Sequence, residues 1–221
     1  MCSTSENTST DKESILSLCE QAPEEVVKAN LFLVLAKAFS TPLEMKKEHA
    51  DQLRTTVSHI ANNLQEEGCA LAQACEDALE DPEALSLAYA RLFLGPFEIL
   101  ASPYASVYLD PEQRLMGPVS QAVAEEYATA GLAPGEGPNE VPDHVALEWE
   151  FLYYLTYQYV ITGEAQWVEK RNTFWSNHMD KWIPSFSKTV LKSTDHGFYS
   201  ALAQFTLDLF REPEFLGSAN Q

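Results

Sequence analysis

Positive charge is what this sequence has least of. Fourteen Lys and Arg stand against 33 Asp and Glu, a formal net charge of −19 over 221 residues. Nucleic-acid affinity comes largely from Lys and Arg displacing counterions from phosphates, so a chain this acidic is expected to bind no nucleic acid. The same repulsion disfavours an anionic membrane surface, while basic partners gain in encounter rate. Long apolar runs are missing too. The most apolar segment, 145–162, is interrupted by Glu148 and Glu150, so no stable membrane insertion is expected. The first residues, MCSTSENTSTDKES, hold neither the basic nor the apolar stretch of a secretory signal, and Cys2 follows no hydrophobic leader. The four cysteines (Cys2, Cys19, Cys69, Cys75) form no Cys-x-x-Cys and read as free thiols of a reducing compartment. A cytoplasmic location is the expectation. There is no Gly-x-Ser-x-Gly elbow, no cysteine in a catalytic context, and no Lys-Ser/Thr after the three glycines of GLAPGEGP.

What is present is helical punctuation. A hydrophobic content of 45% with 11% aromatics supports a sizeable core. Pro23-Glu24-Glu25 opens a segment whose Val27, Leu31, Val34, Leu35 and Ala38 recur at helical spacing. Ser40-Thr41-Pro42 with Glu44 reads as a capping box, and Asp81-Pro82-Glu83 and Asp110-Pro111-Glu112 repeat the start signal. Stops are expected at Gly68, Gly95-Pro96, Gly131 and Gly163. No window alternates with period two for long enough to make a strand. The expected architecture is all-α, a bundle of about nine to eleven helices over 23–221, after a flexible extension at 1–22.

Aromatics are unevenly placed: up to Ala88 only Phe32 and Phe39 occur, and every Trp and Tyr lies at Tyr89 or beyond. The change of texture falls at an irregular stretch, 95–110, where a bend between two halves is expected. A second irregular stretch, 132–142, precedes the aromatic segment HVALEWEFLYYLTYQYV. These two loops are expected to be neighbours at the functional surface, since ordered loops carry function more often than helices do.

Metal chemistry has one foothold. His144 and Glu148 are four apart on one helix face and could chelate, so a metal-dependent helical enzyme using them, with His178, is the alternative reading. A di-iron bundle, however, needs two Glu-x-x-His pairs, and none occurs. His178 in WSNHMDKW fits a partly buried, hydrogen-bonded histidine, and His49, His59 and His196 fit surface positions. No metal or cofactor is expected.

Glu140-Val-Pro142-Asp143-His144 admits two readings. One is helix initiation, with Pro142 and Asp143 in a first turn. The other is a recognition site. Carboxylates at Glu136, Glu140, Glu148 and Glu150 beside apolar and aromatic residues suit a peptide carrying arginines next to a hydrophobic stretch, because guanidinium pairs bidentately with carboxylate. His144 is the one group of the motif whose ordinary pKa lies near neutrality.

Three stretches carry a family resemblance. Tyr89-Ala-Arg91-Leu92-Phe93-Leu-Gly95-Pro96 resembles a Y-x-R-L-F-x-G-P segment, Pro103-Tyr104-Ala-Ser106-Val-Tyr108 a P-Y-x-S-x-Y loop, and Glu140 to His144 an E-x-P-D-H motif. Their order and spacing are similar to those of the TorD/DmsD family of redox-enzyme maturation chaperones, more distantly related to the NarJ group. His178-Met-Asp-Lys-Trp182-Ile-Pro184 and Phe198-Tyr199 are weaker echoes. The resemblance covers roughly residues 85–210. It implies an all-helical cytoplasmic protein without enzymatic activity. Such a protein binds the twin-arginine signal peptide, and often the body, of an unfinished molybdenum-cofactor enzyme and holds it from export until the cofactor is in. The client would be a trimethylamine oxide or dimethyl sulfoxide reductase, or another molybdoenzyme. The resemblance places Glu140, Pro142, Asp143 and His144 in the peptide-binding region. It assigns Tyr104, Ser106 and Tyr108 to the adjoining loop and Gly95 and Pro96 to the bend. A second role for that loop's aromatics, plugging the core beneath it, stays open. The implied assembly is a monomer or homodimer, helix-swapped if the 95–110 connection opens.

Overall fold

A computed structural model describes residues 22–42, 45–60, 62–95, 98–133, 140–212 and 215–216. The extension therefore lies outside the described residues except for Ala22, as do Pro96, Glu136 and Glu44. Ten α-helical segments follow one another: α1 Pro23–Phe39, α2 Lys47–Val57, α3 Asn62–Leu79, α4 Pro82–Tyr89, α5 Ala105–Leu109, α6 Pro118–Thr129, α7 Val145–Thr162, α8 Ala165–Phe174, α9 Asp180–Ser193 and α10 Gly197–Leu209. Two π turns join them further. Ala90–Leu94 extends α4, and Trp175–Met179 carries α8 into α9 without a break. No strand occurs among the described residues, so the fold is all-α.

The start and stop signals explain several of these bounds. Asp81 caps α4 by accepting the Ala84 N–H at 3.0 Å, with Pro82 in the first turn. Gly163 ends α7 at φ 69°, a left-handed conformation that glycine adopts freely. Two signals resolve differently, and the Thr41 box falls partly outside the described residues: Pro42 is in a 3₁₀ turn, and α2 begins at Lys47, where His49 Nδ1 accepts the Lys46 N–H at 3.1 Å. Asp110-Pro111-Glu112 forms a turn, because the Asp110 carboxylate is engaged by the Glu112 N–H and Arg114 Nε, and α6 starts only after Gly117, at Pro118. Gly68 lies inside α3 and does not end it.

Gly68 is there for closeness. A Cβ at that position would stand 2.6 Å from Val57 Cγ1 and 3.3 Å from the Phe205 ring, so α3 packs tightly on α2 and α10. Alanine for glycine inside a helix normally gains about 0.5–1 kcal/mol. Here overpacking reverses the sign, and Gly68→Ala is expected to lose about 1–2 kcal/mol, read as a lower midpoint in thermal unfolding.

One core runs through both sides of the sequence. The most intimate helix pair is α1 with α7, and α10 packs on both α3 and α9. Phe32 from α1 meets Trp149 from α7 with ring centroids 5.7 Å apart, and Phe39 meets Phe186 from α9 at 5.5 Å. Trp149, Trp182, Phe186 and Phe198 are fully buried, each such side chain contributing roughly 1.5–3 kcal/mol. Arg171 on α8, also fully buried, pairs with Glu25 at the start of α1 and so ties α8 to the first helix.

The chain reverses after α4. Gly95 sits at φ 49°, and a Cβ there would lie 2.1 Å from the Glu98 carbonyl oxygen, so only glycine fits the bend. The Ala101 N–H then returns to the Leu92 carbonyl at 2.9 Å. Beyond it, 95–110 is not wholly irregular, since it contains α5.

Candidate functional site

The two loops meet. Val145 N–H donates to the Pro103 carbonyl at 2.8 Å and Ala105 N–H to the Asp143 carbonyl at 3.0 Å, so Tyr104 and His144 pair as a single antiparallel bridge. This places the starts of α5 and α7 side by side. Among the described residues, it also brings the ends of both loops, 98–110 and 140–142, onto one surface.

Asp143 is the keystone of that junction. It is fully buried, Oδ2 accepting the Ser106 N–H at 2.7 Å and Oδ1 the Ser120 hydroxyl at 2.6 Å. One carboxylate therefore fastens the turn to α5 and α6 together. From α6, Tyr127 adds a 2.8 Å hydrogen bond to the Pro142 carbonyl. His144 is the N-cap of α7: its Nδ1 accepts the Ala146 N–H at 3.2 Å, which leaves the ring proton on Nε2. Burial pulls this imidazole below its ordinary range against the upward pull of Glu140 and Asp143, which agrees with a neutral acceptor. Helix α7 thus starts after the predicted first turn, with histidine rather than Asp143 as its cap.

Glu140 and Tyr104 form the outer layer. The Tyr104 hydroxyl donates to Glu140 Oε1 at 3.0 Å, the Val141 N–H reaches the same oxygen at 2.9 Å, and the Tyr104 ring stands edge-on to His144 at 5.2 Å. Partial burial and then the Glu140 carboxylate push the Tyr104 hydroxyl above the ordinary tyrosine range, so it remains a donor. Tyr108 turns inward instead, against Trp182 at 5.6 Å and Phe186 at 6.2 Å, and burial raises its hydroxyl to about 12. Ser106 is fully buried, with no hydrogen-bond partner for its hydroxyl. The seven residues singled out in the sequence therefore divide. Glu140 is exposed, Tyr104 and Pro142 are half-exposed and His144 lies just beneath, while Asp143, Ser106 and Tyr108 point into the fold. For Tyr108 the core-plugging reading holds.

One helical turn into α7 lies a second polar group. Glu148 is fully buried; Oε1 lies 2.6 Å from His178 Nε2 and Oε2 accepts the Trp182 Nε1–H at 3.0 Å. Burial raises the Glu148 carboxyl, with His178 pulling against it. At His178 burial acts downward, but Glu148 outweighs it and lifts the imidazole above its ordinary range. These contacts lend the metal reading no support: His144 Nδ1 caps α7, Glu148 is hydrogen-bonded to His178 and Trp182, and among the described residues no three metal-binding side chains gather. Glu150, the remaining described acid, pairs with Lys37 of α1 at 3.5 Å.

Sequence reasoning missed Ser120 and Tyr127, which carry no local signal, and the partnership of Glu148 with His178 and Trp182. The His178-x-x-x-Trp182 spacing, which sets both rings on one helix face, was the available clue.

Comparisons with known proteins give the family. The family model for the nitrate reductase delta subunit matches residues 58–188, more than half of the chain and inclusive of both loops and His178. The chaperone protein TorD of Vibrio cholerae serotype O1 is 27% identical over 197 residues, covering 84% of this chain and 89% of that protein. TorD of Aliivibrio fischeri is 27% identical over 190 residues, covering 79% and 87%. The crystal structure of a protein described as a redox enzyme maturation protein from Archaeoglobus fulgidus superposes with a TM-score of 0.57 at 19% identity. It covers 83% of this chain and 94% of that one, a likeness of fold. The chain belongs to the nitrate reductase delta subunit family, among its TorD-like redox-enzyme maturation chaperones, which are not enzymes.

Proposed function

We propose that this chaperone works in the cytoplasm on a molybdenum-cofactor oxidoreductase. It binds the enzyme's twin-arginine leader and its apo form, assists cofactor insertion and prevents premature export. One observation carries the reading: an exposed carboxylate, Glu140, beside a half-exposed tyrosine, Tyr104, on a turn clamped from beneath by Asp143. Rigid presentation lowers the ordering penalty of binding, and a guanidinium meets a carboxylate in its preferred geometry. The net charge of −19 steers a basic peptide toward the chain. Asp143, Ser106 and Tyr108 position the rim and His144 backs the Tyr104 ring from beneath; Glu140, Tyr104 and Pro142 face the leader. Among the described residues no helix is long and apolar enough to cross a membrane.

A synthetic peptide with consecutive arginines followed by an apolar stretch tests this by fluorescence anisotropy. A micromolar complex corresponds to about −8 kcal/mol. Glu140→Gln is expected to weaken it roughly fivefold to tenfold at low salt, with thermal stability unchanged, and the loss shrinks as salt rises. Absence of binding by the wild-type chain, or equal affinity for a peptide with glutamines in place of both arginines, refutes the proposal.

A further inference from the structure

The loop between α5 and α6 holds two large apolar side chains in solvent: Leu115 is 48% exposed and Met116 66%. A slack loop would fold such residues inward, but this one is braced. Asp110, itself buried, accepts the Glu112 N–H at 2.8 Å and Arg114 Nε at 3.2 Å, and its carbonyl accepts the Gln113 N–H at 2.9 Å. Gln113 and Met116 adopt φ of 54° and 59°, left-handed conformations that non-glycine residues rarely hold. Gly117 closes the loop where a Cβ would crowd the Arg114 carbonyl at 3.0 Å and Asp110 Oδ2 at 3.2 Å. Left-handed backbone in a braced loop that leaves two apolar side chains in solvent points to a surface with a use.

The loop is rigidly joined to the site. Its two stems are α5 and α6, and Asp143 bonds to both of them. Tyr104 immediately precedes α5 and Asp110 immediately follows it, so one five-residue helix, roughly 8 Å of rise, separates the rim from the loop. An extended peptide crosses that rise in about two to three residues.

We propose that Leu115 and Met116 are the seat for the apolar segment of the same arginine-bearing leader whose arginines meet Glu140 and Tyr104. This inference rests on the proposed function above. Charge selects the occupant. Arg114 is paired with both Asp110 and Glu112, leaving one acid in excess on the loop, and Glu140 adds another on the rim. An apolar segment flanked by cations fits that surround. A second copy of a chain carrying a net −19 does not.

The test is a double-mutant cycle on the full chain with two labelled peptides, one with arginines and an apolar stretch, one with serines in that stretch. Leu115→Ser combined with Met116→Ser is expected to weaken the first peptide about tenfold and the second not at all. The thermal midpoint stays in place because both side chains already face water. Unchanged affinity for the first peptide, or equal loss for both, overturns the seat while leaving the arginine site standing. If the wild type binds neither peptide, both readings fall. If the wild type dimerises with concentration and the double variant does not, the seat belongs to a second copy and the assignment to the leader is wrong.

Discussion

Asp143→Ala is expected to destabilise the protein by about 3–4 kcal/mol, more than any change at the exposed rim. The carboxylate is fully buried and satisfies two donors, the Ser106 N–H and the Ser120 hydroxyl, on two different helices. Hydrogen bonds to a charged group contribute about 1.5–3 kcal/mol each, and alanine leaves both donors buried and unpaired. At this chain length that corresponds to a drop of roughly 10 °C in the melting midpoint, measured by circular dichroism. Asp143→Asn retains an acceptor for the Ser106 N–H and is expected to lose about half as much. Leader affinity falls with either change, because the rim loses its support, whereas Glu140→Gln leaves the midpoint in place. That opposite pairing of stability and affinity separates a residue that holds the site from one that touches the peptide. An Asp143→Ala variant that melts with the wild type and loses only binding makes the buried carboxylate a ligand after all.

The same residue shows what a sequence does and does not display. The end of helix α7 was legible, because Gly163 stops it, but its start was not, since the first turn expected at Pro142 and Asp143 gives way to a helix that begins at Val145 behind His144. The meeting of the two loops was legible as a neighbourhood, since both are irregular stretches and ordered loops carry function more often than helices do. Asp143 itself looked like a helix-starting acid or a ligand. Its actual role depends on Ser120, 23 residues away, and on Ser106, 37 away, and no local pattern encodes a pairing across such distances. Local signals also mislead where tertiary packing overrides them. Gly68 reads as a helix stop but is the contact point at which α3 meets Val57. Asp110-Pro111 reads as a helix start, but the Asp110 side chain turns onto Arg114 and the Glu112 N–H and makes a loop instead. The exposed pair Leu115 and Met116 was invisible for the complementary reason: two apolar residues in a short polar loop look no different from a pair folded inward.

The second large effect concerns the partner of Glu148. His178→Ala is expected to remove about 3 kcal/mol, because a fully buried carboxylate then keeps only the Trp182 N–H. The pH dependence identifies the cause. Both groups hold their protons more tightly in the folded chain than in the unfolded one, so folding takes up protons and the pair's contribution falls as pH rises. For His178 it is fully present below the ordinary value of 6.5 and drains away as pH climbs through the raised folded value. For Glu148 the same decline begins from 4.5. Other groups act in the opposite sense. Glu25 and Asp110, held below their ordinary ranges by Arg171 and by the Glu112 N–H with Arg114, lose their contribution as pH falls through their folded values. His144, lowered by burial, also binds fewer protons when folded; its contribution grows as pH rises toward 6.5 and is fully present above it. The comparison is therefore made between chains. Urea unfolding from about pH 6 to pH 9 is expected to show the wild type losing stability relative to His178→Gln, whose amide keeps a donor toward Glu148 but does not titrate. Parallel pH profiles for the two proteins mean that the imidazole is uncharged throughout, and that a neutral hydrogen bond holds the π turn of 175–179 against α7.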